Sequence, residues 1–260
     1  MTKKQTISVA FSKITSFEEI EDASTEEKTI DAQECFCLNS ANGHKPHWTE
    51  VYANFSTLES FDGFKEGLKA LHVNGCENLR TAVGLPASCE EVYLDGSGLR
   101  ALYIIDDLYH SVNMTSGLKT FSARGCSHLF TLRGISETCK TVLVDESAVA
   151  SLQNLPNGVE TISAKSCKNL KTTKGLPQSC KHLDLSFSAV ETLEDIPETI
   201  EEIRLYNCYN LRREGLRQLP ASVFDKIKGL SSSFDVDVLK KARHKTANEK
   251  TKTQNQKTRE

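Results

Sequence analysis

The sequence predicts a mainly β or α/β solenoid, a horseshoe of short parallel strands with a concave sheet, an irregular convex side and a short helical cap at its C-terminal end. Three observations carry this. A motif returns four times, as LKALHVNGCENL from Leu68, LKTFSARGCSHL from Leu118, VETISAKSCKNL from Val159 and IEEIRLYNCYNL from Ile200. A second form alternates with it, as WTEVYANFSTL from Trp48, CEEVYLDGSGL from Cys89, CKTVLVDESAV from Cys139 and CKHLDLSFSAV from Cys180. The starts of these eight segments lie 20 or 21 residues apart, with a single step of 29. A fixed period of this size marks one coil per repeat. No coil can bury its own apolar face, so the coils stack and share a continuous core.

Taken from the N-terminus, residues 1–47 are expected to cap the solenoid. ISVAFSKITSF matches the second form at Ile7, Val9, Ser12, Ile14 and Phe17, which makes 4–23 a candidate degenerate repeat. The acidic EEIEDASTEEKT reads as a loop or a brief helix, and ECFCLN at 34–39 alternates like a strand. Over 48–220 both forms fit L-x-x-L-x-L-x-x-(N/C)-x-L, the leucine-rich repeat, in which x-L-x-L-x is the strand and the N/C position turns the chain off it. Cys76, Cys126, Cys167 and Cys208 take that turn in one form, and Ser56, Ser97, Ser147 and Ser188 in the other, so the structural unit is a pair of coils. Segments such as GLPASC at 84–89 and NLPNGV at 154–159 place Pro where the convex side turns back to the strand, which leaves no room there for long helices. The long step sets an insertion at 106–116. It is read either as part of a binding face, through Asp106, Asp107, Tyr109 and His110, or as a convex bulge packed by Leu108, Tyr109 and Val112. ASVFDKIKGL and SFDVDVLKKAR, within 221–243, read as short helices that close the last coil, with Ser233 as an N-cap.

Composition narrows the function classes. The 260 residues are 38% hydrophobic and contain no apolar run long enough to cross a bilayer as a helix. Ser12, Lys13, Thr15 and Ser16 interrupt the N-terminal segment, so no cleaved signal peptide is expected. The net charge of -3 conceals an asymmetry: from Lys240 to Glu260 eight Lys or Arg face two Glu, a balance of +6 that leaves -9 on the rest. The tail, 244–260, is too polar to offset its ordering entropy and is expected to be disordered.

No Gly-rich phosphate loop, H-E-x-x-H or G-x-S-x-G occurs, so no catalytic residue and no cofactor are assigned. Of nine cysteines, four occupy the turn and Cys89, Cys139 and Cys180 the first apolar position of the motif, where a thiol packs as a small hydrophobe. Cys35, Cys37, His44 and His47 form C-x-C-x6-H-x2-H, which has the ligand types for tetrahedral Zn(II). Against that stands the reading of both cysteines as buried residues on one face of a cap strand.

Residues between the core positions of each strand point out of the concave face. One row is Tyr52, His72, Tyr93, Ser122, Leu143, Ser163, Asp184 and Arg204; the next is Asn54, Asn74, Asp95, Arg124, Asp145, Lys165, Ser186 and Tyr206. A third brings Phe55, Glu146, Phe187 and Asn207 to the edge, with Gly75, Gly96 and Gly125 where a partner can approach the backbone. Aromatic and arginine side chains are what interfaces favour, so these rows are the candidate partner-binding residues.

The short LP-punctuated coils, with LP at Leu85-Pro86, Leu155-Pro156, Leu176-Pro177 and Leu219-Pro220, resemble the leucine-rich-repeat modules of effector proteins that bacterial pathogens inject into host cells. The Cys at the turn is similar to the cysteine-containing repeat class, and the polar C-terminus to the translocation tails of Legionella-type effectors. The resemblance implies a monomeric, non-catalytic module made in the bacterial cytoplasm and delivered into host cytoplasm by a specialised secretion system. Its expected partner is a protein, either a host protein or a co-delivered effector enzyme that it regulates or inhibits, with no small-molecule substrate. The alternatives are a scaffold or adaptor without inhibition, and attachment to nucleic acid or an anionic membrane through the basic tail, against which the -9 body stands.

Overall fold

In every coil a short strand turns its middle residue inward, and stacking puts these residues in one buried column: Val51, Leu71, Val92, Phe121, Val142, Ile162, Leu183 and Ile203. A computed structural model describes residues 4–102, 104–105, 111–112, 117–217 and 219–230. Its strands are β1 (Gln5–Ser8), β2 (Lys28–Asp31), β3 (Trp48–Tyr52), β4 (Ala70–His72), β5 (Glu91–Tyr93), β6 (Ile104–Ile105), β7 (Ser111–Val112), β8 (Thr120–Ser122), β9 (Thr141–Leu143), β10 (Thr161–Ser163), β11 (His182–Asp184), β12 (Glu202–Arg204) and β13 (Ile227–Lys228). Eleven of them form one sheet in chain order, β1-β2-β3-β4-β5-β8-β9-β10-β11-β12-β13, and every neighbouring pair is parallel. This is the leucine-rich-repeat solenoid. β5 pairs directly with β8, Tyr93 opposite Ser122, so the long step is accommodated outside the sheet, where β6 and β7 make a small antiparallel ladder.

The two-coil unit has a chemical cause. The Ser hydroxyl of one coil meets the Cys thiol of the next: Ser12 with Cys35 at 3.5 Å, Ser56 with Cys76 at 3.3 Å, Ser97 with Cys126 at 3.5 Å, Ser147 with Cys167 at 3.6 Å and Ser188 with Cys208 at 4.0 Å. Each of these thiols also donates to a carbonyl of the preceding coil, as Cys76 does to Ala53 O at 3.3 Å. On the way back to the sheet, the carbonyl of Pro86 accepts the N–H of Cys89, and those of Pro156, Pro177 and Pro220 accept from Val159, Cys180 and Val223. These tight turns replace convex helices.

Two segments differ from the expectation. ECFCLN is not a strand: β2 ends at Asp31, and Glu34, at φ 56°, turns the chain so that Cys35 is buried and Cys37 exposed on different sides. Residues 28–38 are a further coil of the cysteine form, with Cys35 at the turn. At the other end, ASVFDKIKGL divides into a 3-10 helix, Ala221–Lys226, and β13, which pairs Ile227 with Ile203 and so satisfies the edge of β12 with a strand. A five-residue helix, α1 (Arg213–Arg217), precedes it. The segment SFDVDVLKKAR and the basic tail lie outside the described residues, as do Asp106, Asp107, Leu108, Tyr109 and His110. Among the described residues no helix is long and apolar enough to cross a membrane.

Candidate functional site: the outward face of the sheet

The parallel register aligns equivalent residues of successive coils about 4.8 Å apart, so side chains of one row touch. The row from Tyr52 to Arg204 lies on the ladder in that order, through Tyr52↔His72, His72↔Tyr93, Tyr93↔Ser122, Ser122↔Leu143, Leu143↔Ser163, Ser163↔Asp184 and Asp184↔Arg204. At its N-terminal end three rings stack. The Tyr52 and His72 centroids are 4.2 Å apart at 12°, and those of His72 and Tyr93 4.6 Å apart at 7°. The Tyr52 hydroxyl donates to Glu50 at 2.8 Å and that of Tyr93 to Glu91 at 2.9 Å, which fixes both ends. Burial within the stack, reinforced by these carboxylates, pushes the Tyr52 phenol up to about 12 and raises that of Tyr93. Burial likewise lowers His72 below its ordinary value, against the pull of Glu50 and Glu91. The product is a rigid neutral aromatic strip edged by two carboxylates.

The second row has a different role. Asn54 accepts the backbone N–H of Asn74, Asn74 that of Asp95, and Asp95 that of Arg124, each at 2.8 Å. Asp145 accepts the N–H of Lys165 at 2.8 Å and the Ser163 hydroxyl at 2.5 Å, and the Arg124 guanidinium lies over it at 3.2 Å. The side chain of Asp145 is 8% exposed. These amides and carboxylates staple coil to coil, which occupies part of their polar surface: Asp145 is buried, while Asn54, Asn74 and Asp95 stay half-buried. Of that row, Arg124, Lys165 and Tyr206 keep substantial outward surface.

Phe55, Glu146, Phe187 and Asn207 stand beyond the strands in a left-handed turn, at φ 59°, 60°, 63° and 57°, where Gly75, Gly96 and Gly125 stand in other coils at φ 67–69°. The turn N–H groups of Phe55, Gly75, Gly96, Gly125, Glu146 and Phe187 are spent on the next coil, as in Phe187 to Tyr206 O at 2.7 Å. The Phe55 ring lies across Gly75, where a Cβ would meet it at 2.4 Å, whereas a Cβ on Gly96 would meet nothing within 4 Å.

One outward row was missed in reading the sequence. Glu50, Ala70, Glu91, Thr120, Thr141, Thr161, His182 and Glu202 share the register two residues before the Tyr52 row. The strand period of two was the available signal, since residues on either side of a buried middle residue face the same way.

The proposed zinc ligands do not converge. Cys35 donates to Val9 O at 3.1 Å. His44 has both nitrogens engaged, Nδ1 accepting from the Lys65 N–H at 3.1 Å and Nε2 donating to Trp48 O at 3.0 Å. His47 pairs with Asp22 at 2.8 Å, and Cys37 stands on the surface. Among the described residues no group of three or more His, Cys, Asp or Glu is placed to hold a metal ion. Asp22 also receives Lys28 and the Trp48 indole, each at 2.7 Å, and these bonds with His47 hold its carboxyl far below the usual carboxylate range. Of the residues picked out for metal binding, Cys35, His44 and His47 therefore anchor the first coils. Burial also raises the packed thiols, Cys89 and Cys180 to about 12 and Cys139 to about 11, which suppresses their reactivity.

No protein-family model matches the chain, and no curated protein matches it. Among solved structures it is similar to YopM from Yersinia enterocolitica WA-314, with a TM-score of 0.40 and 15% identity over 65% of this chain. The match spans 46% of that protein, less than half its length.

Proposed function

We propose that this protein is a non-catalytic binding module that engages another protein through the outward face of its sheet. The observation that carries the reading is the Tyr52–His72–Tyr93 stack. Three large rings are held parallel on a rigid sheet and fixed by Glu50 and Glu91, so binding them costs little side-chain ordering. Together with the resemblance of the coils to secreted bacterial effectors, this supports delivery into a host cell and regulation or inhibition of a host protein or a co-delivered enzyme. Affinity capture from host lysate and from co-secreted bacterial proteins supplies the partner. Changing Tyr52 and Tyr93 together to Ala is expected to lower affinity at least tenfold by calorimetry, while loss of the two ring stacks lowers the melting temperature by only a few degrees and leaves unfolding cooperative. Unchanged affinity refutes the assignment of the face. If the partner is an enzyme and keeps full activity when saturated, the module is a scaffold and not an inhibitor.

A further inference from the structure

At Phe187 backbone strain and ring burial nearly offset each other, so fold stability does not single out a phenylalanine there. Its backbone is left-handed at φ 63°, which costs a bulky residue about 1–2 kcal/mol. The residue is 49% exposed and otherwise buried, so burial recovers about as much as the strain costs. Glycine fills the same turn position in three other coils without strain. Instead, Phe187 borders an open hollow of about 560 Å³ on the surface, lined also by Arg124, Gly125, Asp145, Glu146 and Lys165. A second hollow of about 290 Å³ adjoins it on the far side of Arg124 and Lys165, with Leu143 and Ser163 in its lining and Arg204 at its end.

The charges here are layered. The side chains of Arg124, Lys165 and Arg204 are 42–51% exposed, while their carboxylate partners Asp95, Asp145, Asp184 and Glu202 are 8–30% exposed. The paired acids lie deeper and fix the cations, so Arg124, Lys165 and Arg204 stand outermost over β8–β12, with Glu146 as an exposed carboxylate and Phe187 and Tyr206 as exposed rings beside them.

We propose that this part of the face binds an acidic segment of a partner protein, with a carboxylate between Arg124 and Lys165 and an apolar side chain against Phe187. This rests on the protein-binding reading above and names the chemistry of the partner. A peptide is favoured over a nucleic acid because it can place carboxylates singly on the cations, whereas a phosphate backbone carries charge at every step and would be driven past Glu146 and Asp184.

Fluorescence anisotropy on the full chain tests it with three labelled probes: a peptide of repeated Asp-Asp-Leu, the same peptide with Lys for Asp, and oligo-dT. The acidic peptide is expected to bind, more weakly as salt rises, and Lys165→Gln and Phe187→Gly are each expected to weaken it about tenfold. Phe187→Gly relieves the left-handed backbone but loses the ring's half-burial, two opposing effects of similar size, so its melting temperature is expected to move by only a few degrees with unfolding still cooperative, which separates lost binding from lost folding. Tighter binding of the lysine peptide or of oligo-dT overturns the proposal. So does acidic-peptide binding that survives both substitutions, since it then comes from the basic residues 240–260 or elsewhere. A captured protein partner lost in the Tyr52/Tyr93 variant, with no acidic-peptide binding, removes this inference alone. Peptide binding sensitive to Lys165 and Phe187, with no protein partner retained on the face, removes the broader reading alone.

Discussion

Acid should loosen the N-terminal coils through His44 before it reaches any carboxylate. The imidazole is 3% exposed and lies among Phe17, Trp48 and Phe64. A proton added at Nδ1 would displace the Lys65 N–H bond. Burial, with help from His47 and Lys65, lowers the group from 6.5 to about 4. Between those values the unfolded chain binds the extra proton and the folded one does not, so stability is full above pH 6.5 and declines as pH falls toward 4. Fully expressed, the difference is worth about 3 kcal/mol, and at pH 5 about 2 kcal/mol. Asp22, depressed in the folded state, contributes in a separate window below about pH 4. Urea unfolding followed by Trp48, the single tryptophan of the chain, reads these coils directly. His44→Gln keeps a donor for Trp48 O and an acceptor for the Lys65 N–H without a titrating group. The wild-type midpoint should fall from pH 7 to pH 5 relative to this variant. Equal pH slopes in the two proteins refute the role of His44, whatever His72 contributes to both.

The remaining expectations concern packing and turns. Cys126→Ala removes a buried thiol that donates to Leu94 O and leaves the Ser97 hydroxyl without its partner, so urea unfolding should show a loss of about 1–3 kcal/mol. Gly96→Ala should cost about 1 kcal/mol from its left-handed φ alone. Gly75→Ala should cost clearly more, because its Cβ meets the Phe55 ring at 2.4 Å, and Phe55→Gly in the same chain should bring it back to the Gly96 level. An aromatic disulfide reagent at pH 8 should label Cys37 rapidly in the native protein and all nine cysteines only in denaturant; rapid native labelling of Cys89 or Cys180 would contradict their burial.

The coil at 28–38 shows where the sequence stops being legible. Its strand, turn and Cys35 match the other cysteine coils, but the apolar residue that opens the motif elsewhere is here Lys28, opposite Trp48 in the register. Lys28 can sit 5% exposed because Asp22 pairs with its ammonium at 2.7 Å. An ion pair thus does the work of a leucine, and a search for periodic hydrophobes passes over it. The coils from 48 onward were legible because their strand slots are filled by apolar residues or a thiol and their turn slot alternates between a buried Ser and a buried Cys.

The outward rows were legible in a narrower sense. Alternation tells which way a side chain leaves the strand, and it correctly aligned Tyr52, His72 and Tyr93. It does not tell whether the polar end is then spent on a neighbouring backbone, as in Asn54, Asn74, Asp95 and Asp145. Because that column supplies acceptors for the coil-to-coil N–H groups, replacing it would cost the stacking of the solenoid, and conservative changes there test the fold more than the interface. The proposed binding groups are those with no such duty: the ring stack with its two glutamates toward β3–β5, and Phe187 with the layered cations toward β8–β12. The two ends differ in sign and in ring content, so a partner spanning both must present its basic and acidic surfaces in one order along the sheet, which gives the face a direction as well as an area.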